Sequence, residues 1–144
     1  MKKRIFIGIG AFVLIFSAWL YVVTPDERDK RAEVNRRVFD SIKEKSHWDM
    51  RKPMLYGFFF TCTRETPLKI LGFLLSIGDH RVVDISKDDD KDFYWLHVER
   101  IQVHDLNSVS TKDVRLRRIG AMCISEYDGW DVGPDLTPTK KNEK

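Results

Sequence analysis

The sequence predicts an α+β protein. The predicted architecture is a ferredoxin-like βαββαβ sandwich, a four-stranded antiparallel sheet with two helices on one face, preceded by a transmembrane helix and a juxtamembrane helix. Two observations carry this prediction. An uncharged apolar run occupies residues 5–23. Beyond a charged helical segment, the patterns then follow the order strand, helix, strand, strand, helix, strand, which is that of a split βαβ plan. Right-handed crossovers place both helices of such a plan on the same face of the sheet.

The first 23 residues are predicted to be an N-terminal tail and transmembrane anchor. Ile5 to Val23 carry no charge, and a helix of that length is roughly 28 Å long, close to the ~30 Å hydrocarbon core of a bilayer. The competing interpretation is a cleaved signal peptide, whose apolar region is usually shorter, and Phe16 stands where its cleavage site needs a small residue. The expected localisation is a membrane that the chain crosses once. Basic residues on both flanks of the run do not decide on which side of the membrane the domain lies.

The composition beyond this run argues against direct nucleic-acid binding and against a disulfide-stabilised scaffold. Three of the 25 Lys and Arg residues precede it, and the remaining 22 balance the 22 Asp and Glu residues. A neutral domain has no general attraction for a polyanion, so direct nucleic-acid binding is disfavoured. Two cysteines cannot form a disulfide scaffold. The predicted topology places Cys62 and Cys123 toward opposite ends of the sheet, as two free thiols.

The juxtamembrane helix is predicted over residues 24–46. Thr24 is suited to cap it, Pro25 fits its first position and Glu27 completes a capping box. A narrow apolar stripe at four-residue spacing is expected to lie on the domain. The stripe consists of Val34, Val38 and Ile42, with Phe39 assisting.

The domain itself is predicted over residues 47–133, with a flexible tail over 134–144. Its first strand is the nearly continuous apolar stretch Met54 to Cys62, as expected of a central strand covered on both faces. A helix is then expected to start with Thr66 as its cap and Pro67 in its first position, and to stop at Gly78.

The second half of the domain is predicted to contain three strands and a helix. Strands are expected at residues 81–85 and 93–104, and a change of apolar phase near Glu99-Arg100 predicts a bulge. The last helix is expected to be capped by Ser110, with Asp113 in the capping-box position. A turn at residues 127–130 then leads into a short strand that ends near Gly133.

The sequence contains no assembled catalytic or metal motif. Its four histidines lack metal-ligand spacing, and the Asp88-Asp89-Asp90 run lacks the glycine and the final glutamate of a calcium loop. Neither a nucleophile elbow nor a glycine-rich phosphate loop is present. We therefore predict no catalytic residues, no metal, no cofactor and no enzyme activity. A hydrolase of unknown substrate is the weakest hypothesis.

Two aromatic clusters are the candidate partner-binding residues. One is Trp48-Asp49, before the first strand, and the other is Tyr127-Asp128-Gly129-Trp130, before the last. The structural interpretation of the second is helix termination, with Gly129 at positive φ and Asp128 bonded to nearby backbone. The functional interpretation is a partner-facing patch, because Trp and Tyr beside polar residues are favoured interface anchors.

The same residues resemble a known family. Tyr127-Asp128-Gly129-Trp130 after a capped helix, and Trp48-Asp49 with Lys52-Pro53 ahead of a Phe-rich strand, resemble the RraB family of regulators of ribonuclease E activity. The resemblance covers roughly residues 46–133. It implies a ferredoxin-like domain that binds ribonuclease E and restrains its cleavage of RNA, without catalysis of its own.

The leading hypothesis is thus a membrane-anchored, non-enzymatic regulator that binds ribonuclease E. Together with the predicted anchor, the resemblance implies a single-pass protein of the bacterial inner membrane, with the domain in the cytoplasm if ribonuclease E is the partner. The alternative is a membrane-tethered adaptor of the same fold that binds a different protein partner, in the periplasm or elsewhere. Oligomeric state cannot be read from the sequence.

Overall fold

The computed structural model describes residues 22–134 of the 144-residue chain. The elements are α1 (Pro25–Lys45), β1 (Met54–Cys62), α2 (Glu65–Ile77), β2 (Arg81–Lys87), β3 (Tyr94–Gln102), α3 (Leu106–Met122) and β4 (Glu126–Gly133). After α1, the elements follow the predicted order βαββαβ, and the four strands pair antiparallel in the order β2-β3-β1-β4. The predicted α+β class and four-stranded antiparallel sheet are therefore confirmed.

The predicted transmembrane helix requires correction. Over residues 22–134, no helix is both long enough and apolar enough to cross a bilayer. The segment predicted to do so, residues 5–23, lies outside the described residues except for Val22 and Val23. The described fold therefore contains no transmembrane helix, and the predicted single-pass inner-membrane localisation, which depended on that helix, is not supported. The predicted tail, residues 134–144, also lies outside the described part except for Pro134.

Helix α1 begins as predicted but packs through a different face. The Thr24 hydroxyl accepts a hydrogen bond from the Glu27 amide at 3.3 Å, and the Glu27 carboxylate accepts one from the Thr24 amide at 3.0 Å, which completes the capping box. The expected stripe is wrong at two of its positions, because Val34 is 51% exposed and Val38 is 38% exposed, whereas Ile42 and the assisting Phe39 pack against the core as predicted. Helix α1 packs against α3 through another of its faces, which includes small and polar side chains. The buried residues of α1 are Ala32, Asn35 and Phe39.

Strand β1 lies in the middle of the sheet, as predicted, but helices cover only one of its faces. Tyr56, Phe58 and Phe60 alternate along the strand and are fully buried beneath the helices. The intervening residues point to the opposite side, because successive side chains of a strand alternate between faces. We call that side the open face.

Helix α2 starts earlier than predicted and has an exposed apolar side. Its N-cap is Arg64, which makes no capping hydrogen bond, so the expected Thr66 cap is wrong. Leu68, Leu71 and Leu75 are buried, while Phe73 is 66% exposed. The helix ends at Gly78, as predicted, where the glycine amide donates to the Leu75 carbonyl.

Helix α3 also starts earlier than predicted. Asp105 is its N-cap, and it forms a reciprocal capping box with Ser108. The predicted cap, Ser110, lies one turn inside the helix and is buried together with Asp113. Both residues serve the contact with α1, because Ser110 accepts a hydrogen bond from Asn35 and Asp113 pairs with Arg31.

The sheet irregularities lie elsewhere than predicted. Pairing between β1 and β3 is continuous from Met54↔Gln102 to Cys62↔Tyr94, so the expected bulge near Glu99-Arg100 is wrong. The odd-numbered apolar residue Ile101 lies on the open face, opposite Leu55, and needs no shift of phase. Register shifts occur instead between Val82 and Asp84 of β2 and at the junction of β1 with β4.

Both cysteines are free thiols, but they lie at the same end of the sheet. The Cys62 thiol donates to the Ile124 carbonyl at 3.2 Å, directly beside Cys123 in the chain. The expected separation is wrong because α3 runs antiparallel to β4, and β4 is itself antiparallel to β1. Helix α3 therefore ends where β1 ends.

Candidate protein-binding surfaces

The Tyr127-Asp128-Gly129-Trp130 segment lies within edge strand β4, at a β-bulge. Gly129 pairs with Phe59 and Tyr127 pairs with Phe60, so Asp128 is the extra residue. Gly129 has φ of +138°, a conformation that side-chain-bearing residues rarely adopt. The sequence predicts a turn here, but the chain reverses earlier, around Ile124, whose φ is +56°. As a result, Tyr127 and Trp130 face the helices while Asp128 stays exposed.

Tyr127 is a core residue. It is 6% exposed, and its ring lies 5.1 Å from that of Phe60. The Arg117 guanidinium lies over the same ring, 5.2 Å from its centroid. Burial, together with the nearby Asp113 carboxylate, raises the pKa of the Tyr127 hydroxyl far above its ordinary value. A partner cannot contact this ring without opening the core.

Trp130 joins α1 to the sheet. Its indole N–H donates to the Asn35 side-chain oxygen at 3.1 Å, and the Asn35 amide donates to the Ser110 hydroxyl at 3.0 Å. The ring also packs against Phe39 and Tyr56, at centroid distances of 5.7 and 5.8 Å. This network satisfies polar groups of a nearly buried interface, so the half-buried Trp130 is first a structural residue.

A buried ion pair supports the same interface. The Asp113 side chain is 1% exposed, and its carboxylate lies 2.5 Å from Arg31 Nε and 3.6 Å from Arg117 Nε. Removing one partner of such a pair leaves a charge without compensation in a region of low polarity. Arg31 and Asp113 therefore help to fix α1 beside α3.

Asp128 and Gly129 line a groove of about 450 Å³ between α1 and the edge of β4, which we call the β4 groove. Its α1 wall contains the exposed Val34 and Val38, and Phe59 reaches it from β1. Val34 and Val38 of the α1 stripe thus lie beside this groove rather than inside the core. Arg31 and Arg117 also line the groove, so it offers apolar side chains next to charged groups of both signs at the unpaired edge of β4.

Trp48 and Asp49 lie in a second groove, at the far end of β4. This groove of about 380 Å³ is also lined by Lys52, Pro53 and Met54, and Trp48 is 38% exposed. Arg51 donates to Asp49 at 2.9 Å and lowers the pKa of its carboxyl group. The six candidate residues therefore do not form one site: two line this groove, three line the β4 groove, and Tyr127 is in the core.

Histidines and metal ligands give no sign of a reactive centre in the described part of the chain. Across residues 22–134, no group of three or more His, Cys, Asp or Glu side chains could hold a metal ion. His80 is buried, its Nδ1 donates to the Leu75 carbonyl at 3.1 Å, and its Nε2 lies 2.9 Å from Lys112 Nζ. Burial, reinforced by the Lys112 charge, lowers the pKa of His80 to about 4. Its contacts are those of a packing residue.

The open face carries residues that the sequence patterns did not single out. The Phe59 and His97 rings stack there in parallel, with centroids 4.5 Å apart. A Cβ atom on Gly57 would lie 2.9 Å from His97 Nε2 and 2.3 Å from Asp131 Oδ1, so both side chains lie over this glycine. The signal that could have found them is the strand alternation of β1, which puts Gly57 and Phe59 opposite the core residues.

The fold and these surfaces together define a class: a small α+β domain that presents grooves along the edge and face of an antiparallel sheet. Residues 32–132 match the model of the family described as regulator of ribonuclease activity B. Since this match covers more than half of the chain, the chain belongs to the RraB family. No curated protein matches it at a significant level.

Proposed function

We propose that this protein regulates a ribonuclease by binding to it, without catalysing a reaction itself, and that the ribonuclease is ribonuclease E. The observation that carries the proposal is the family match, which spans the domain from α1 to β4. Binding is the mode of action that the geometry supports best. The exposed features are grooves lined by apolar side chains and by charged groups of both signs, and such features suit a protein contact.

The β4 groove is the contact surface we propose. Asp128 is exposed at the bulge, and Val34 and Val38 provide apolar area beside it. Trp48 and Asp49 lie at the other end of the same edge strand, and a partner that follows the edge of β4 reaches both grooves. Tyr127 and Trp130 contribute indirectly, by holding α1 and β4 in position.

The proposal predicts that the purified full chain slows the cleavage of a model RNA by ribonuclease E in proportion to the complex formed. The Asp128→Lys variant reverses the one negative charge among the lining residues of the groove, at an exposed position, and we expect it to weaken binding about tenfold or more. The control is Asp89→Lys, which makes the same change at an exposed turn. Binding is measured by surface plasmon resonance and cleavage by gel assay.

Two outcomes would contradict this proposal. If the wild-type chain neither binds ribonuclease E nor slows it, the regulator assignment fails and the adaptor for another protein remains. If both lysine variants weaken binding equally, the effect is one of total charge and the β4 groove is not the contact.

A further inference from the structure

The open face of the sheet combines an aromatic centre with an excess of carboxylates. Strand register places Asp84 of β2 beside His97, and Asp131 of β4 beside Gly57. Glu99 lies between them on β3, and Glu126 lies further along β4, opposite Thr61. Arg81 is the one basic residue at the described strand positions of this face, and it already pairs with Glu99.

The aromatic centre is flat and accessible from one side. Phe59 and His97 stack over each other, and Trp95 on the same face packs edge-on against Phe93 at 5.3 Å. All these rings are half-buried. The His97 Nε2 atom is buried without a hydrogen-bond partner, and Glu99 Oε1 lies 3.6 Å from it.

Sheets of this architecture stack RNA bases on exposed aromatic rings when Lys and Arg neutralise the phosphates. Here the charges have the opposite sign. Arg64 and Lys91 occur only at one end, where they line a groove of about 570 Å³ together with Glu126 and Asp128. A polyanion placed along the strands would meet Asp84, Glu99 and Asp131, so the face disfavours RNA.

Arginine matches both features of this face. A guanidinium stacks on aromatic rings and pairs with carboxylates through two parallel hydrogen bonds, whereas a lysine ammonium lacks the planar fork. We propose that the open face binds an arginine-rich segment of a protein partner, with guanidinium groups stacked on Phe59 and Trp95 and paired with Asp84 and Asp131. The inference rests on the proposed function only in taking the partner to be a protein.

The experiment uses the full chain and a fluorescein-labelled peptide of alternating arginine and serine. Fluorescence anisotropy should give saturable binding that weakens as salt is raised, and the matched lysine peptide should bind more weakly. Replacing two charge partners, as in the double variant Asp84→Asn/Asp131→Asn, should weaken the arginine peptide about tenfold. The control variant Glu44→Gln, exposed on α1 away from the open face, should bind like the wild type. Circular dichroism checks that each variant is folded.

Several results would overturn the inference. The first two are that the arginine peptide does not bind, or that it binds no more tightly than the lysine peptide. The other two are that the folded double variant binds the arginine peptide as tightly as the wild type, or that a uridine oligonucleotide binds more tightly than the peptide. The ribonuclease E assay separates this inference from the proposed function. Peptide binding without an effect on ribonuclease E would leave the open face intact as a binding surface and contradict only the regulator assignment.

Discussion

At the residue scale, the least replaceable feature of the candidate site is the backbone of Gly129. Its φ is +138°, and a Cβ atom added there would meet only open space, so the strain of a substitution comes from the backbone alone. Gly133 on the same strand has equally open space and no positive φ. Because neither position is crowded, comparing substitutions at the two glycines isolates the cost of the positive φ at Gly129.

We therefore expect Gly129→Ala to lower the free energy of unfolding by about 1–3 kcal/mol, and Gly133→Ala to change it by less than about 0.5 kcal/mol. Urea denaturation followed by circular dichroism measures both. Equal changes in the free energy of unfolding at the two positions would mean that a side chain at position 129 adds no backbone strain.

The two tryptophans of the candidate set should behave differently when replaced. Trp130→Phe removes the donor to Asn35 and leaves a nearly buried oxygen unsatisfied, so we expect a loss of about 1–3 kcal/mol of stability. Trp48→Phe, at an exposed position, should leave stability almost unchanged. Urea midpoints at equal protein concentration provide the measurement. A destabilised Trp48→Phe with an unaffected Trp130→Phe would reverse the assignment of roles.

At the element scale, α2 provides a matched pair of apolar residues. Leu71 is fully buried, and Leu71→Ala should cost about 2–5 kcal/mol through lost contacts and a cavity. Phe73, two positions along the helix, is 66% exposed, and Phe73→Ala should cost less than about 1 kcal/mol. Thermal or urea unfolding of the pair tests which side of α2 faces the sheet. A larger loss for Phe73→Ala would place the helix the other way round.

The link between α2 and α3 should weaken in acid. His80 follows α2, bonds to the Leu75 carbonyl and contacts Lys112 of α3, and burial lowers its pKa to about 4 from an ordinary 6.5. The unfolded chain therefore takes up a proton between pH 6.5 and 4 that the folded chain does not, so stability present above pH 6.5 falls as the pH drops through this window.

The measurement is the urea midpoint at about pH 7 and about pH 5, on either side of the ordinary histidine pKa. The fall in stability should be smaller for His80→Gln than for the wild type, while His47→Gln, at an exposed position, should keep the wild-type dependence. An unchanged pH dependence in His80→Gln would contradict the role of this histidine.

Element type and order were predictable, because periodicity and capping are local properties of the sequence. Thr24 and Glu27 marked the start of α1, and the apolar run Met54 to Cys62 marked the central strand. Long-range contacts were less predictable. Asn35 and Asp113 look like ordinary surface residues of amphipathic helices, and only the packing of α1 on α3 reveals their partners Ser110 and Arg31.

At the whole-molecule scale, the candidate site divides into parts that the sequence could not separate. Aromatic residues in Tyr127-Asp128-Gly129-Trp130 predict either a structural or a contact role, and the structure assigns the rings to packing and leaves Asp128 exposed. The open face was missed because its members are dispersed over four strands. Phe59, His97 and Asp131 become neighbours only through strand register.

The central claim is that the protein acts through a surface along β4 that binds ribonuclease E. Hydrogen–deuterium exchange of the full chain, with and without ribonuclease E, tests this claim most directly. We expect slower exchange on binding in residues 126–131 and in the α1 turn around Val34 and Val38, with little change in the turn at residues 88–92. Unchanged exchange along β4 and α1 under saturating ribonuclease E would contradict it.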